Sequence, residues 1–348
     1  MCSSDLGTAV TLVGCIGGGQ LGRMLALAGA PLGVRLRFLD PAPDACAGDV
    51  GELIVVQYDD PELLDRLAAD AAAVTYEFEN VPDAAARRVQ AVPGVRALEH
   101  GQDRLAEKEL FRRLGIPTAR FGTAGETGLP ALVKSRRLGY DGKGQRVIDA
   151  DVELGDDELA EEIVPFEREL SILAVRGREG ETAFYPPVEN EHRGGILAVS
   201  RAPAAGARQR EAEEIARRLL DELDYVGVLA VELFEVGGRL LANEFAPRVH
   251  NTGHWTIEGA ETSQFENHLR AILGLTLGAI GARGSAVMVN LVGGVPPLER
   301  LLRVPGAHVH LYGKEPRTGR KLGHVTLVEA ADEAVAEVLA LARAAWES

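Results

Sequence analysis

The stretch Val10–Gly29, VTLVGCIGGGQLGRMLALAG, decides how the chain must begin to fold. An apolar run of β type enters Gly17-Gly18-Gly19, and a helix-like stretch follows with no proline before Pro31. Gly17, Gly19 and Gly22 satisfy G-x-G-x-x-G, and Asp40 closes the next apolar run. A strand passing through glycines into a helix predicts a parallel α/β unit with an anion at the helix N-terminus. The glycines do not tell the pyrophosphate of NAD from another phosphate.

Working outward, the short runs AVTLVGCI, VRLRFLD, LIVVQY and AVTYEF are rich in β-branched residues and read as strands. Helical candidates lie between them at Gln20–Ala30, Pro61–Ala69 and Pro82–Gln90. That alternation predicts a parallel sheet with right-handed crossovers and a ligand at the carboxyl ends of its strands. GQDRLAEKELFRRLGIP reads as a helix that starts near Asp103 and stops at Gly115. A β-rich, antiparallel texture begins near Ile116, and a polar helix spans Ala207–Asp224. The expected units are 7–100, parallel α/β; 101–186, a β-rich unit with its preceding helix; 187–284, mixed α+β; and 285–348, a small β cap with an Ala-rich closing helix.

At 348 residues, 46% hydrophobic and 26% charged, the chain has the composition of a globular protein of several compact units. A formal net charge of −15 argues against a general nucleic-acid binder, and no apolar run approaches the length of a membrane span. Met1–Leu6 lacks the basic start and apolar stretch of a signal peptide. Cys2, Cys15 and Cys46 form no CxxC and no disulfide framework, which fits the cytoplasm.

The residues able to do chemistry concentrate in the second half. Glu232 and Glu244 sit on the two arms of an expected hairpin around Gly237-Gly238. A three-residue loop would make them face each other, whereas a strict two-residue turn would put them on opposite faces. Facing carboxylates repel unless a cation lies between them, and hard oxygen ligands suit Mg²⁺ on nucleotide phosphates. Directly after this strand, NEFAPRVHNTGHW gathers Asn243, Glu244, Arg248, His250, Asn251 and His254, a density of polar types that a solvated turn does not need. Upstream, VKSRRLGYDGKGQRV places Lys134 at a strand end, followed by glycines able to close over phosphates; it is not a Walker A sequence. In EEIVPFERELSILAVRG, an apolar strand edge could take an adenine ring while Glu169 reaches a ribose hydroxyl. His308 and His310 share a strand face and read as strand packing rather than as metal ligands.

In this order the stretches GGGQLGRM, YEFENVP, QDRLAEK, GYDGKGQ, YPPVENEHRGGIL, NEFAPRVHNTGHW and HLYGKEPRTGRKLGH resemble the ATP-grasp superfamily. Within it they are similar to the 5-(carboxyamino)imidazole ribonucleotide synthase family of purine biosynthesis. The resemblance covers nearly the whole chain from Val10 and implies an α/β ATP-grasp fold: a Rossmann-like parallel-sheet domain, a β-rich lid, a mixed ATP-grasp domain and a small β cap. It implies a homodimeric carbon–nitrogen ligase that makes carboxyphosphate from ATP and bicarbonate and carboxylates 5-aminoimidazole ribonucleotide (AIR). Residue by residue, it assigns ATP to Arg104, Lys134, Glu161, Glu162, Ile163, Val164, Glu169, His192, Asn243 and Glu244, and Mg²⁺ to Glu232 and Glu244. Arg248 and His250 fall at the bicarbonate end, and Asp141 and Lys143 at the junction of the two substrates. AIR falls to Gly18, Gly19, Gln20, Leu21, Glu77, Tyr140, Lys314 and Arg320, with Lys314, Arg320 and the Gly17–Gly22 loop on its monophosphate.

Three positions depart from the family pattern: Leu138 where a small residue is usual, Val249 for a proline and Thr252 for a serine. Leu138 is expected to stiffen the lid. The alternatives are another ATP-grasp ligase, formate-dependent glycinamide ribonucleotide transformylase or biotin carboxylase in type, and, from other classes, an NAD-dependent oxidoreductase or an inactive nucleotide-binding regulator.

Overall fold

The structure, a computed structural model, describes residues 10–139 and 144–346. Tyr140, Asp141 and Lys143 therefore lie outside the described residues.

The opening stretch folds as expected. Strand β1 (Thr11–Ile16) runs through the glycines into helix α1 (Gln20–Gly29), and β2 (Val34–Asp40), β3 (Glu52–Val55) and β4 (Ala73–Tyr76) complete a parallel sheet in the order β3-β2-β1-β4. Leu21, Met24 and Leu25 recur at helical spacing along α1 and are buried on one side of the sheet. Gly17 takes φ +96°, and a Cβ there would strike Glu77 and Phe78, so only glycine lets the chain turn at the end of β1.

After the helix Arg104–Arg113, which Asp103 caps by accepting the Leu105 N–H, the chain builds two antiparallel sheets. The smaller has four strands: Phe121–Gly122, Glu158–Glu162, Ala131–Ser135 and Gln145–Ile148. The larger has nine and runs from the Gly227–Ala246 hairpin through Arg168–Arg176 and Ile196–Ala202 to the C-terminal strands. Arg168–Arg176 pairs along its length with Gly227–Val236 and so belongs to the larger sheet. The C-terminal strands extend the same large sheet, because Ala286–Val292 pairs directly with Ile196–Ala202.

The parallel domain is welded to the large sheet by a shared core in which Leu25 and Phe38 meet Val175, Val228 and Leu269. A single buried imidazole spans the same seam. His268 accepts the Val228 N–H through Nδ1 at 3.1 Å, which leaves Nε2–H to donate to Thr75 Oγ1 at 2.9 Å. Burial lowers its pKa to about 4. Because the folded value lies below the unfolded one, near 6.5, this contribution is complete above pH 6.5 and is lost as pH falls toward 4. Acidification should therefore weaken the domain seam by about 3 kcal/mol through this residue alone. A thermal unfolding series from pH 7.5 to 4 should show the decline, and a His268→Gln variant should show a flatter one. Equal slopes for the two proteins would refute the assignment.

Candidate active site

The carboxyl ends of β1 and β4 open onto a cleft of about 630 Å³ walled on its other side by the large sheet and the Lys134 strand. Its lining brings together Gln20, Leu21, Glu77, Arg104, Lys134, Glu169, His192, Glu232, Asn243, Glu244, Arg248 and His250, twelve residues that span positions 20 to 250 of the chain.

The hairpin turn is the strict two-residue form: Val236 pairs with Arg239, and Gly237 and Gly238 take φ +54° and +71°. By alternation alone this would set the two glutamates on opposite faces. A β-bulge removes the conflict. Leu233 pairs with Ala242 but Glu232 pairs with Glu244, so Asn243 is the inserted residue and the carboxylates face each other. Burial, then Glu244, pushes the Glu232 carboxyl up, while Arg104 at 2.8 Å holds Glu244 down against its own burial. Asn243 Oδ1 is buried without a donor. Two hard carboxylates under mutual repulsion beside an orphaned amide oxygen fit a divalent cation completed by phosphate oxygens. Among the described residues, no group of three or more acidic, His or Cys side chains forms an all-protein metal cage.

Deeper in the cleft, Lys134 Nζ donates to Glu161 at 2.9 Å, and the fully buried Lys108 lies 3.3 Å from the same carboxylate. These two ammoniums outweigh burial and keep Glu161 at about 2. Glu161 thus orients Lys134, and Glu162 turns away to Arg120 at 2.8 Å. Neither Ile163 nor Val164 is among the lining residues. The apolar wall is instead Leu132, Leu197 and the stacked pair Phe166–Phe234, with ring centroids 4.7 Å apart. Beside it His192 Nδ1 and Glu169 Oε2 are 2.5 Å apart, a contact that keeps the imidazole pKa up despite burial.

Arg248 and His250 close the third side. Burial, then Arg248 and Lys321, lowers the His250 pKa well below its usual value, so the ring is neutral at pH 7. Its Nδ1 accepts the Thr252 N–H at 3.4 Å, leaving the proton on Nε2, 3.5 Å from Glu232. Val249 is fully buried in the seam core, and Thr252 Oγ1 donates to Asn190 Oδ1 at 2.8 Å; neither departure disturbs a charged group. Leu138 stands at φ +60°, a left-handed conformation that costs a non-glycine residue about 1–2 kcal/mol.

The expected phosphate cradle narrows. Gly18 N–H donates to Asp40 at 2.8 Å, and Gly19 and Gly22 N–H donate to Glu77 at 2.6 and 2.9 Å. The amides of Gly18, Gly19 and Gly22 are thus already taken by carboxylates, and that of Gly17 by the Leu39 carbonyl. The amides of Gln20 and Leu21 keep no acceptor among the described residues. Lys314 hydrogen-bonds Gln20 Oε1, and its pKa is lowered by burial, with Arg320 and Lys321 adding like charge. Three cations beside two free amides suit an anion. Asp40, the residue an NAD ribose would need, is consumed by Gly18 N–H, Ala42 N–H and Tyr58 OH. Sequence reading missed Glu79, Asn80, Lys108 and Lys321, although each lies within or at the end of a stretch that carries the family resemblance.

A nucleotide-sized cleft between two antiparallel sheets, with facing acidic residues on one strand pair and a buried lysine opposite, defines an ATP-grasp ligase. The comparisons agree. Residues 110–265 match the ATP-grasp domain, 10–102 the ribonucleotide synthetase preATP-grasp domain, and 286–338 the phosphoribosylaminoimidazole carboxylase C-terminal domain. The N5-carboxyaminoimidazole ribonucleotide synthase of Pseudomonas aeruginosa is 51% identical over 95% of this chain and 99% of its own. The crystal structure of N5-carboxyaminoimidazole ribonucleotide synthetase from Thermus thermophilus superposes with TM-score 0.90 at 53% identity, covering 94% of this chain and 98% of that one. The Aspergillus clavatus synthase, solved with ADP and 5-aminoimidazole ribonucleotide, gives TM-score 0.87 at 30% identity over 97% and 99% of the two chains. The chain belongs to the N5-carboxyaminoimidazole ribonucleotide synthase family.

Proposed function

We propose that this enzyme uses ATP and bicarbonate to carboxylate the amino group of AIR, releasing ADP and phosphate. The observation that carries the reading is the meeting of three charge environments in one cleft: Arg104 and Lys134, the Glu232–Glu244 pair, and Arg248 with His250. ATP would lie against Phe166–Phe234, its ribose near Glu169 and His192 and its phosphates toward Lys134 and Arg104. Glu232 and Glu244 would hold Mg²⁺, which when bound offsets charge on the phosphate oxygens. Arg248 would receive bicarbonate and balance charge as the γ-phosphoryl passes to its oxygen to give carboxyphosphate. His250, neutral and carrying its proton on Nε2, can donate a hydrogen bond there without adding charge. The AIR phosphate would bind the Gln20 and Leu21 amides with Lys314 and Arg320, and Glu77 would meet its ribose side. Asp141 and Lys143 are assigned to the junction of the substrates and Tyr140 to AIR by family resemblance alone. The enzyme would act as a homodimer in the cytoplasm; the free, buried thiols of Cys15 and Cys46 fit a reducing compartment.

The test is ADP release with ATP and Mg²⁺, with and without AIR, in bicarbonate or in formate. ADP should appear at least about tenfold faster when AIR and bicarbonate are both present, alongside an acid-labile carbamate; tenfold corresponds to about 1.4 kcal/mol of barrier. Equal rates in formate, or indifference to AIR, would refute the reading.

A further inference from the structure

Arg248 is gripped along one edge only. Its Nε–H donates to Glu79 Oε2 in a short contact, and its Nη1 donates to its neighbour's carbonyl, Val249 O, at 3.0 Å. A guanidinium carries five N–H donors in one plane, so these two bonds fix the plane and leave the Nη2 edge without an acceptor among the described residues. That edge has the fork geometry that a planar anion such as bicarbonate accepts. The Arg248 side chain is 14% exposed, so it cannot find its orientation by solvation.

Glu79 is itself held from both sides. Gln102 Nε2 donates to the carbonyls of Glu79 at 2.9 Å and Val81 at 2.7 Å, fastening the segment to the start of the helix that carries Arg104. Two residues earlier, the Glu77 carboxylate binds the glycine loop. One short segment therefore spans the AIR side and the bicarbonate side of the cleft. We infer that Glu79 is the positioning residue for Arg248, setting the guanidinium edge that receives bicarbonate and tying it to the AIR loop. This rests on the reaction proposed above and adds a residue to it that touches no substrate.

The experiment compares Glu79→Ala and Glu79→Gln with the unaltered enzyme in full assays. In E79A the kcat/KM for bicarbonate should fall by about 100-fold, the cost of misplacing a substrate-orienting group by about an ångström. The KM for ATP should stay within about twofold, because Arg104 and Lys134 keep their own partners, a ratio worth less than the roughly 1.4 kcal/mol of a tenfold change. ADP should exceed carboxylated product, since a displaced arginine leaves the phosphoryl group to water. E79Q should lie between, its amide oxygen still accepting the Nε–H. If E79A does not fold, E79Q decides by the same split. An unchanged bicarbonate KM and product ratio in E79Q, or an equal rise in the KM for ATP and bicarbonate, overturns the inference. Absence of AIR-dependent ADP release in the unaltered enzyme would instead strike the proposed function.

Discussion

Glu244→Gln should lower ADP formation about a thousandfold, some 4 kcal/mol of barrier, while leaving the protein folded. The carboxylate is one of two that face each other across the bulge, and its replacement leaves Glu232 as the only charged oxygen donor of that pair for the cation. Folding should change little, because two effects oppose. The amide loses the 2.8 Å ion pair with Arg104 but relieves the repulsion that pushes Glu232 up. Melting temperature and ADP release measured on the same preparation separate the site from the scaffold. Retained activity would remove the metal assignment, and with it the central claim about this cleft.

Lys108→Ala should have the largest effect on stability, about 3–5 kcal/mol, because it strips one partner from a buried ion network. The lysine is fully buried and touches Thr118 Oγ1 at 3.1 Å, Asn243 O at 2.8 Å and Glu161 at 3.3 Å. It therefore ties the helix Arg104–Arg113 to the bulge residue and to the carboxylate beneath Lys134. Burial lowers the pKa of the ammonium and Glu161 raises it, so each holds the other in its charged form. Removing the lysine leaves Glu161 with Lys134 alone and the Asn243 carbonyl without a donor. Urea denaturation should register the loss, and ATP affinity should fall with it as Arg104 and Lys134 drift. A change below about 1 kcal/mol would mean that the network is no more than a surface-like pair.

Much of this was legible in the chain. Strand, glycine turn and helix at Val10–Gly29, the Asp103 cap and the Gly237-Gly238 turn follow from local chemistry, and the structure has each of them. Asn243, Glu244, Arg248 and His250, which line the cleft, were legible as a dense polar cluster after a strand, whereas Gln20, Glu77, Arg104 and His192 were marked by family resemblance alone. What escaped were partnerships between residues far apart. Glu79 and Arg248 are 169 positions apart, Lys108 and Asn243 are 135, and neither carries a local signature. The amides of the glycine loop illustrate the same limit, since only the fold brings Glu77 onto Gly19 and Gly22.

The sequence by itself determined the elements, their order and the chemical inventory, because turn geometry, helix caps and hydrophobic periodicity act over a few residues. The tertiary structure alone decided which charges meet. One inserted residue, Asn243, reverses the face on which Glu244 lies, and that register is chosen by pairing along the whole sheet rather than by the turn. Burial and the charges it brings together then shift the pKa values of Glu232, His250 and Lys108, a property of surroundings that no short stretch contains.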